Sequence, residues 1–317
     1  MDKEKIKSSL LGFITGDALG VPYEFIPRQR MKLTPATKMV GGGSWEQPIG
    51  TWSDDTSMVL ATLDCLSTRY DLTLLGSNFH QWYYLNEYTP HGKVFDIGSQ
   101  TRAGIDRIND LIKSNKQVTP IHPITNEKKN GNGSLMRILP FGFYLRFNQH
   151  IEERYQIISD TSSLTHSHVR SVISCFIYSE LVMDLMADGD KFSAFKKMQS
   201  RVSGFLQDKD KVPQNELSLF DRILKSDISR LEESEIQSGT YVLEALEAVL
   251  WCFLRHGNYK DSVLEAANLG GDTDTVAALV GGLAGIIYDV PDEWVNLLVK
   301  KNEILGLIER FSKRLMD

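Results

Sequence analysis

HVRSVISCFIYSELVMDLM, residues 168–186, carries apolar side chains on every face of a helical projection. A helix that is apolar all round has no side to give to water, so it belongs at the centre of a protein. Outward from it, apolar residues recur at helical spacing along almost the whole chain, and no run alternates as a half-buried strand must. Helices are expected to begin near Lys5, Asp55, Asp71, Gln100, Glu152, His166, Lys191, Thr240, Tyr259, Asp272 and Asp292. Turn-forming residues mark loops at 22–50, 90–98 and 120–133. The stretch 207–235 is charged and weakly periodic and reads as a surface excursion. No internal repeat or linker divides the 317 residues, so the expectation is a single all-α domain, 1–317.

Hydrophobic residues make up 42% of the chain and charged residues 24%, the balance of an ordinary soluble globular protein. The net charge of -6 advertises no broad basic surface, so nucleic acid is not an expected partner. A phosphorylated ligand would need local devices: metals, helix N-termini or a few arginines. Cys65, Cys175 and Cys252 lie in apolar helical contexts, and an odd number without paired spacing fits a reducing compartment. The opening MDKEK leads into a helix and lacks the pattern of a signal peptide. The longest apolar stretch, 276–287, is too short and too glycine-rich to span a bilayer. A cytoplasmic monomer with no membrane segment is expected.

Two acidic clusters stand far apart in this chain: Ser53-Asp54-Asp55-Thr56 and Asp272-Thr273-Asp274-Thr275, each opening an apolar helix. A single Ser or Asp there would be an ordinary N-cap, favourable to the helix dipole. A cap needs only one side chain, however, and a second adjacent carboxylate adds repulsion unless a cation is present. Carboxylates and hydroxyls without His or Cys form the oxygen-only set that hard divalent cations such as Mg²⁺ or Mn²⁺ prefer. Two such clusters brought together would hold a pair of metals, chemistry usually spent on phosphate or sugar oxygens. Glycine turns beside helix starts, at Gly98-Ser99 and Gly131-Asn132-Gly133-Ser134, present free N–H groups suited to phosphate, and several in one chain point to a diphosphate.

The bland readings differ from motif to motif. Asp-x-Asp-Thr at 272–275 also occurs in haloacid-dehalogenase-like phosphatases, but there it follows a buried strand, and 265–269 here reads as a helix end. In isoprenoid synthases the aspartates lie along helix interiors, not at helix starts. Asp96, before Ile97-Gly98, is either a turn former or a carboxylate placed for proton transfer. Glu24, among aromatics and proline, reads first as a structural acceptor, and Asp17 as a partner for nearby backbone. His166 and His168, two apart, do not share a helix face as a zinc pair would, and each reads as a capping or hydrogen-bonding histidine. Arg137 is either a buried ion-pair partner or a neighbour of the ligand.

Taken in order, these segments resemble the ADP-ribosylglycohydrolase family, which includes the ADP-ribosyl-acceptor hydrolases and the dinitrogenase reductase-activating glycohydrolases. The matching pieces are Gly16-Asp17-Ala18-Leu19-Gly20 with Glu24, Trp52-Ser53-Asp54-Asp55-Thr56, Phe95-Asp96-Ile97-Gly98, Gly131-Asn132-Gly133-Ser134-Leu135-Met136-Arg137, Thr165-His166 and Gly270-Gly271-Asp272-Thr273-Asp274-Thr275. They cover nearly the whole chain, although no motif falls in 207–235. The resemblance implies an all-α fold with two divalent cations, Mg²⁺ or Mn²⁺, held by Ser53, Asp54, Asp55, Asp272, Asp274 and Thr275. Many members carry Thr where this chain has Ser53, and both supply a hydroxyl.

The resemblance further implies that Gly98, Ser99, Gly131, Asn132, Gly133 and Ser134 hold the phosphates of ADP-ribose, with His166 near the ribose or phosphate. Glu24 would approach the metals from a mobile loop. The bond to be cut joins the anomeric carbon of a ribose to an acceptor, through an oxocarbenium-like state with a carboxylate moving the proton. Asp96 is the favoured participant, with Asp55 and Glu24 on the metal side. The expected substrate is an ADP-ribosylated protein and the product ADP-ribose. Phe-Asp-Ile-Gly favours arginine as acceptor; the alternatives are serine, ester or polymer linkages, or a non-catalytic ADP-ribose-binding relative. A guanidinium acceptor suits acidic or aromatic walls, for which the loops 29–47 and 84–93 are candidates.

Overall fold

The computed structural model describes residues 2–207 and 212–316. The chain runs α1 (Asp2–Gly20), α2 (Arg28–Leu33), α3 (Asp54–Leu66), α4 (Leu72–Leu85), α5 (Ser99–Lys113), α6 (Leu139–Tyr144), α7 (Ile151–Ser162) and α8 (Val169–Asp188). It continues with α9 (Lys191–Gln207), α10 (Gln214–Leu217), α11 (Asp221–Leu224), α12 (Val242–Arg255), α13 (Tyr259–Asn268), α14 (Thr273–Ile287), α15 (Asp292–Val295) and α16 (Lys301–Arg314). Among the described residues no strand forms; extended segments meet only in isolated bridges such as Gly131 with Tyr241. The fold is all-α. No described helix is long and apolar enough to cross a membrane.

Side-chain caps fix several helix starts. Ser53 accepts from Asp55 N–H at α3, Asp71 from Thr73 and Leu74 N–H at α4, and Asn258 from Asp261 N–H at α13. His168 Nδ1 accepts from Arg170 N–H and caps α8, which therefore opens at Val169 rather than at His166. The expected helices all form, and α2, α6, α10, α11 and α16 are additions to them. Segment α8 is buried along most of its length, and its Glu180 is neutralised by Arg154 at 2.7 Å and Arg201 at 2.5 Å. Helix α14 is more enclosed still, with every residue from Thr273 to Ile286 buried.

The excursion expected at 207–235 is corrected over its described part, since 208–211 lie outside the described residues. Leu217, Phe220, Ile223 and Ile228 are buried, and Gln199 on α9 bonds the carbonyls of Ile223 and Ser226. The segment is built of single turns, each too short to show a helical period, yet all but the last, 233–235, set one or two apolar side chains into the core.

What positions the site is the contact between α1 and α14. The two helices meet backbone on backbone. A Cβ built at Gly16 would overlap the carbonyl of Ala277, and one at Gly12 would lie 2.5 Å from the Gly281 oxygen. Thr273 Oγ1 donates to the Gly20 carbonyl at 2.8 Å and fixes the register. Because the obstruction is main chain, no rotamer change can relieve it. Gly16→Val is expected to cost about 3 kcal/mol or more, read as a lower urea midpoint or as insoluble protein. An unchanged midpoint would show that the helices do not approach this closely.

Candidate functional site

Asp17, in the last turn of α1, is fully buried and receives the start of α3. It accepts from Ser53 N–H at 3.0 Å, Thr56 N–H at 3.0 Å and Thr56 Oγ1 at 2.6 Å. Burial pushes its carboxyl up to about 6 despite these donors. Helix α1 thus carries α14 on its glycine face and α3 on Asp17. As a result the two acidic helix starts meet: Thr275 Oγ1 donates to Asp55 Oδ2 at 3.3 Å, across 220 residues of sequence. Ser53 Oγ lies 3.4 Å from the same oxygen. The other oxygen, Asp55 Oδ1, is buried with no partner in the protein.

Glu24, Asp272 and Asp274 each place an oxygen within 4.8 Å of the others, and all three are buried. Glu24 is anchored rather than carried on a free loop. Phe25 N–H donates to Gly271 O at 2.7 Å, Ser44 Oγ donates to Glu24 O at 2.5 Å, and Trp45 Nε1 donates to Glu24 Oε2. Asp272 Oδ2 accepts from Asn132 Nδ2 at 2.7 Å. Asn132, expected on phosphate, therefore turns its side chain to the acidic cluster.

The electrostatics are one-signed. Burial, then Asp96, pushes Glu24 up to about 9. Burial, then neighbouring carboxylates, raises Asp54, Asp55 and Asp274 well above the carboxylate range, and burial raises Asp272. Burial, then Asp272 and Asp17, pushes Asp96 up to about 6. So much buried negative charge is costly unless a cation answers it. The oxygen-only donors, the close Glu24–Asp272–Asp274 triad and the orphaned Asp55 oxygen fit a hard divalent cation.

These groups form one wall of a cavity of ≈ 560 Å³. Gly98, Ser99, Gly131, Gly133, His166 and Tyr241 also line the cavity. A Cβ at Gly133 would lie 2.8 Å from His166 Cε1, so only glycine lets the turn pass the ring. His166 is buried, with Nδ1 2.7 Å from Thr165 Oγ1; burial, then Arg137, pushes it down to about 3, so it is neutral. Arg137 reaches neither a carboxylate nor the cavity. Its guanidinium bonds Gly133 O, Thr161 O and Thr165 Oγ1 from below and lies over the Phe79 ring.

Ser134 is not brought to the cavity. Its Oγ accepts from Ser162 Oγ at 2.9 Å inside the core, because the turn leading into 135–137 rotates it away from its glycine neighbours. Ser53 is set back behind Asp55 and borders instead a small recess with Thr89, Pro90, Lys93 and Asp96. Of the two loops expected as walls, 29–47 supplies Trp45 beside Glu24, and 84–93 supplies that recess. The sequence reading missed Phe25, Gln100, Thr101, Lys128 and Tyr241 as cavity residues; Phe25, Gln100 and Thr101 adjoin the motifs, whereas Lys128 and Tyr241 had no such signal.

The ADP-ribosylglycohydrolase family model matches residues 1–317. The chain is 30% identical to the ADP-ribosylarginine hydrolase Tri1 of Serratia proteamaculans (strain 568), over 97% of this chain and 78% of that protein. It is 26% identical to the ADP-ribosyl-dinitrogen reductase glycohydrolase of Rhodospirillum rubrum, over 99% of this chain and 95% of that one. A solved ADP-ribosylglycohydrolase-related protein complex shares the fold, with a TM-score of 0.79 at 23% identity over 99% of both chains.

Proposed function

Since the chain belongs to the ADP-ribosylglycohydrolase family and is an enzyme of that kind, we propose that it releases ADP-ribose from arginine side chains of modified proteins. Two divalent cations, Mg²⁺ or Mn²⁺, would be held by Asp54, Asp55, Asp272, Asp274 and Thr275, with Ser53 behind Asp55 and Glu24 as an added carboxylate. The observation that carries this is the Thr275–Asp55 contact, which joins the two acidic helix starts beside an unpartnered buried oxygen. The arginine acceptor rests on the Tri1 and dinitrogen reductase relatives. The same reading makes the protein a cytoplasmic monomer.

Bound there, the cations would supply Lewis-acid polarisation of the ribose hydroxyls or of the attacking water. The protein's own groups do the rest. The glycine turns at 98 and 131–133 offer backbone N–H groups to the diphosphate, and neutral His166 adds no charge there. Asn132 holds Asp272 in place. In the reaction the bond from ribose C1 to the guanidine nitrogen breaks and its electron pair stays with nitrogen, which gains a proton. Water gives its oxygen to C1 and loses a proton. Asp96, pushed up to about 6, is matched to moving that proton near neutral pH.

The test is a panel of arginine-, serine- and nucleic-acid-linked ADP-ribose substrates with Mg²⁺, Mn²⁺ or chelator. Release of ADP-ribose from the arginine substrate, lost in chelator, is the expected result. Release only from a serine substrate would overturn the acceptor, and release undiminished by chelator would overturn the metal site.

Metal linkage gives a pH dependence of known sign. Asp17 and Asp96, at about 6, and Glu24, at about 9, bind protons more tightly folded than unfolded. Between the ordinary carboxylate range and pH 9 the native state therefore carries more protons, and the chelated protein loses stability as pH rises. Cations compete with those protons. The rise in melting temperature caused by Mn²⁺ should accordingly be larger at pH 8 than at pH 5.5, and a pH-independent rise would contradict the cluster.

A further inference from the structure

Phe25 has no part in the chemistry above. It follows Glu24, lines the cavity and leaves 59% of its surface exposed. Its φ is 61°, in the left-handed region that bulky residues seldom adopt. Main-chain bonds hold it there: Phe25 N–H to Gly271 O at 2.7 Å, Ile26 N–H to Tyr23 O at 3.0 Å and Gly271 N–H to Ile26 O at 3.0 Å. Core packing does not explain a strained aromatic facing solvent, and strain held in place by its surroundings concentrates at functional sites. The Phe25 ring meets Trp45 at 6.5 Å between centroids, and Trp45 meets Phe95 at 5.7 Å. Phe25 thus borders the cavity as the first of a row of three rings, with Trp45 and Phe95 behind it, and two carboxylates lie beside the row, since Glu24 precedes Phe25 and Asp96 follows Phe95.

What this row faces follows from the proposed function, on which this inference rests. The glycine wall takes the diphosphate and the acidic wall the ribose carbon that is attacked. The acceptor must then leave past the acidic side, where Phe25 stands. An arginine acceptor presents a flat, weakly hydrated cation that stacks on aromatic faces. We propose that Phe25 is the specificity-determining residue for the acceptor: its ring packs on the guanidinium, and Trp45, itself backed by Phe95, braces it. A serine or ester acceptor offers no cation for such a surface.

Phe25→Leu keeps apolar bulk and removes the ring; Phe25→Trp keeps a ring. The readouts are kcat and KM on ADP-ribosyl-arginine, the Kd of ADP-ribose by calorimetry, and inhibition by methylguanidine. With Leu, KM is expected to rise about tenfold, with kcat and the Kd of ADP-ribose nearly unchanged and methylguanidine inhibition lost. Trp should restore both KM and inhibition. A Leu variant with wild-type KM overturns the proposal, as does one whose ADP-ribose Kd weakens as much as its KM rises, since Phe25 would then serve the nucleotide. If the wild type itself leaves the arginine substrate intact, the proposed function falls, an outcome distinct from any difference between variants.

Discussion

Asp274→Asn is expected to raise the melting temperature of the chelated protein while lowering turnover about a thousandfold. Asp274 is the second residue of α14 and is buried. Burial, then Glu24, Asp272, Asp55 and Asp96, pushes its carboxyl well above the ordinary range. Its Oδ1 accepts from Thr275 N–H at 2.9 Å, a bond that an Asn oxygen reproduces. The substitution therefore removes charge and little else. Without cations it relieves repulsion by about 1–2 kcal/mol, a few degrees in a chain of this size. With cations it removes an anionic ligand from a set that includes Glu24 and Asp272. Melting in chelator and ADP-ribose release in Mn²⁺ check the two halves separately. A lower melting temperature in chelator would mean that Asp274 is stabilising as a carboxylate, and retained activity would mean that it holds no metal.

Asp96→Asn is expected to lower kcat by about 10²–10⁴-fold, the range for a lost general acid or base, with ADP-ribose affinity changed by less than about threefold. Asp96 lies outside the close Glu24–Asp272–Asp274 triad yet lines the same cavity. It bonds Asp54 and accepts from Ile97 N–H, so it is held in place and turned toward the acidic wall. Asn keeps the shape and the acceptor oxygen and cannot carry the proton. Single-turnover rates and calorimetry with ADP-ribose separate chemistry from binding. A parallel loss of both would recast Asp96 as a ligand contact.

The helices were legible because caps and apolar spacing are local. Ser53, Asp71 and Asn258 announce their helices in the sequence and cap them in the structure. The paired aspartates at 54–55 and at 272 and 274 were legible for the same reason: more acid stands there than a cap requires. Their meeting was not, because it depends on the approach of α1 and α14. That approach had a signal, the four-residue spacing of Gly12, Gly16 and Gly20 against Gly281 and Gly285, which carries meaning only once the two helices are known to pair. The place of Glu24 in the cluster depends on the pairing of Phe25 with Gly271, a contact between loops with no local pattern. Ser134 shows the opposite limit, since a correct motif does not say which way each of its side chains turns.

The contact between α1 and α14 also sets when the enzyme can work. Gly20 and Thr273 are 253 positions apart. At about 5–20 residues per second, a ribosome needs roughly 10–50 s to make the second after the first. During that interval Asp54 and Asp55 exist without their partners, and the opening helix lacks the surface its glycines fit. Catalysis therefore begins only after residues 272–275 have been made, and a product stopped before residue 272 would carry Asp54 and Asp55 without Asp272 and Asp274 and would have none of the activity.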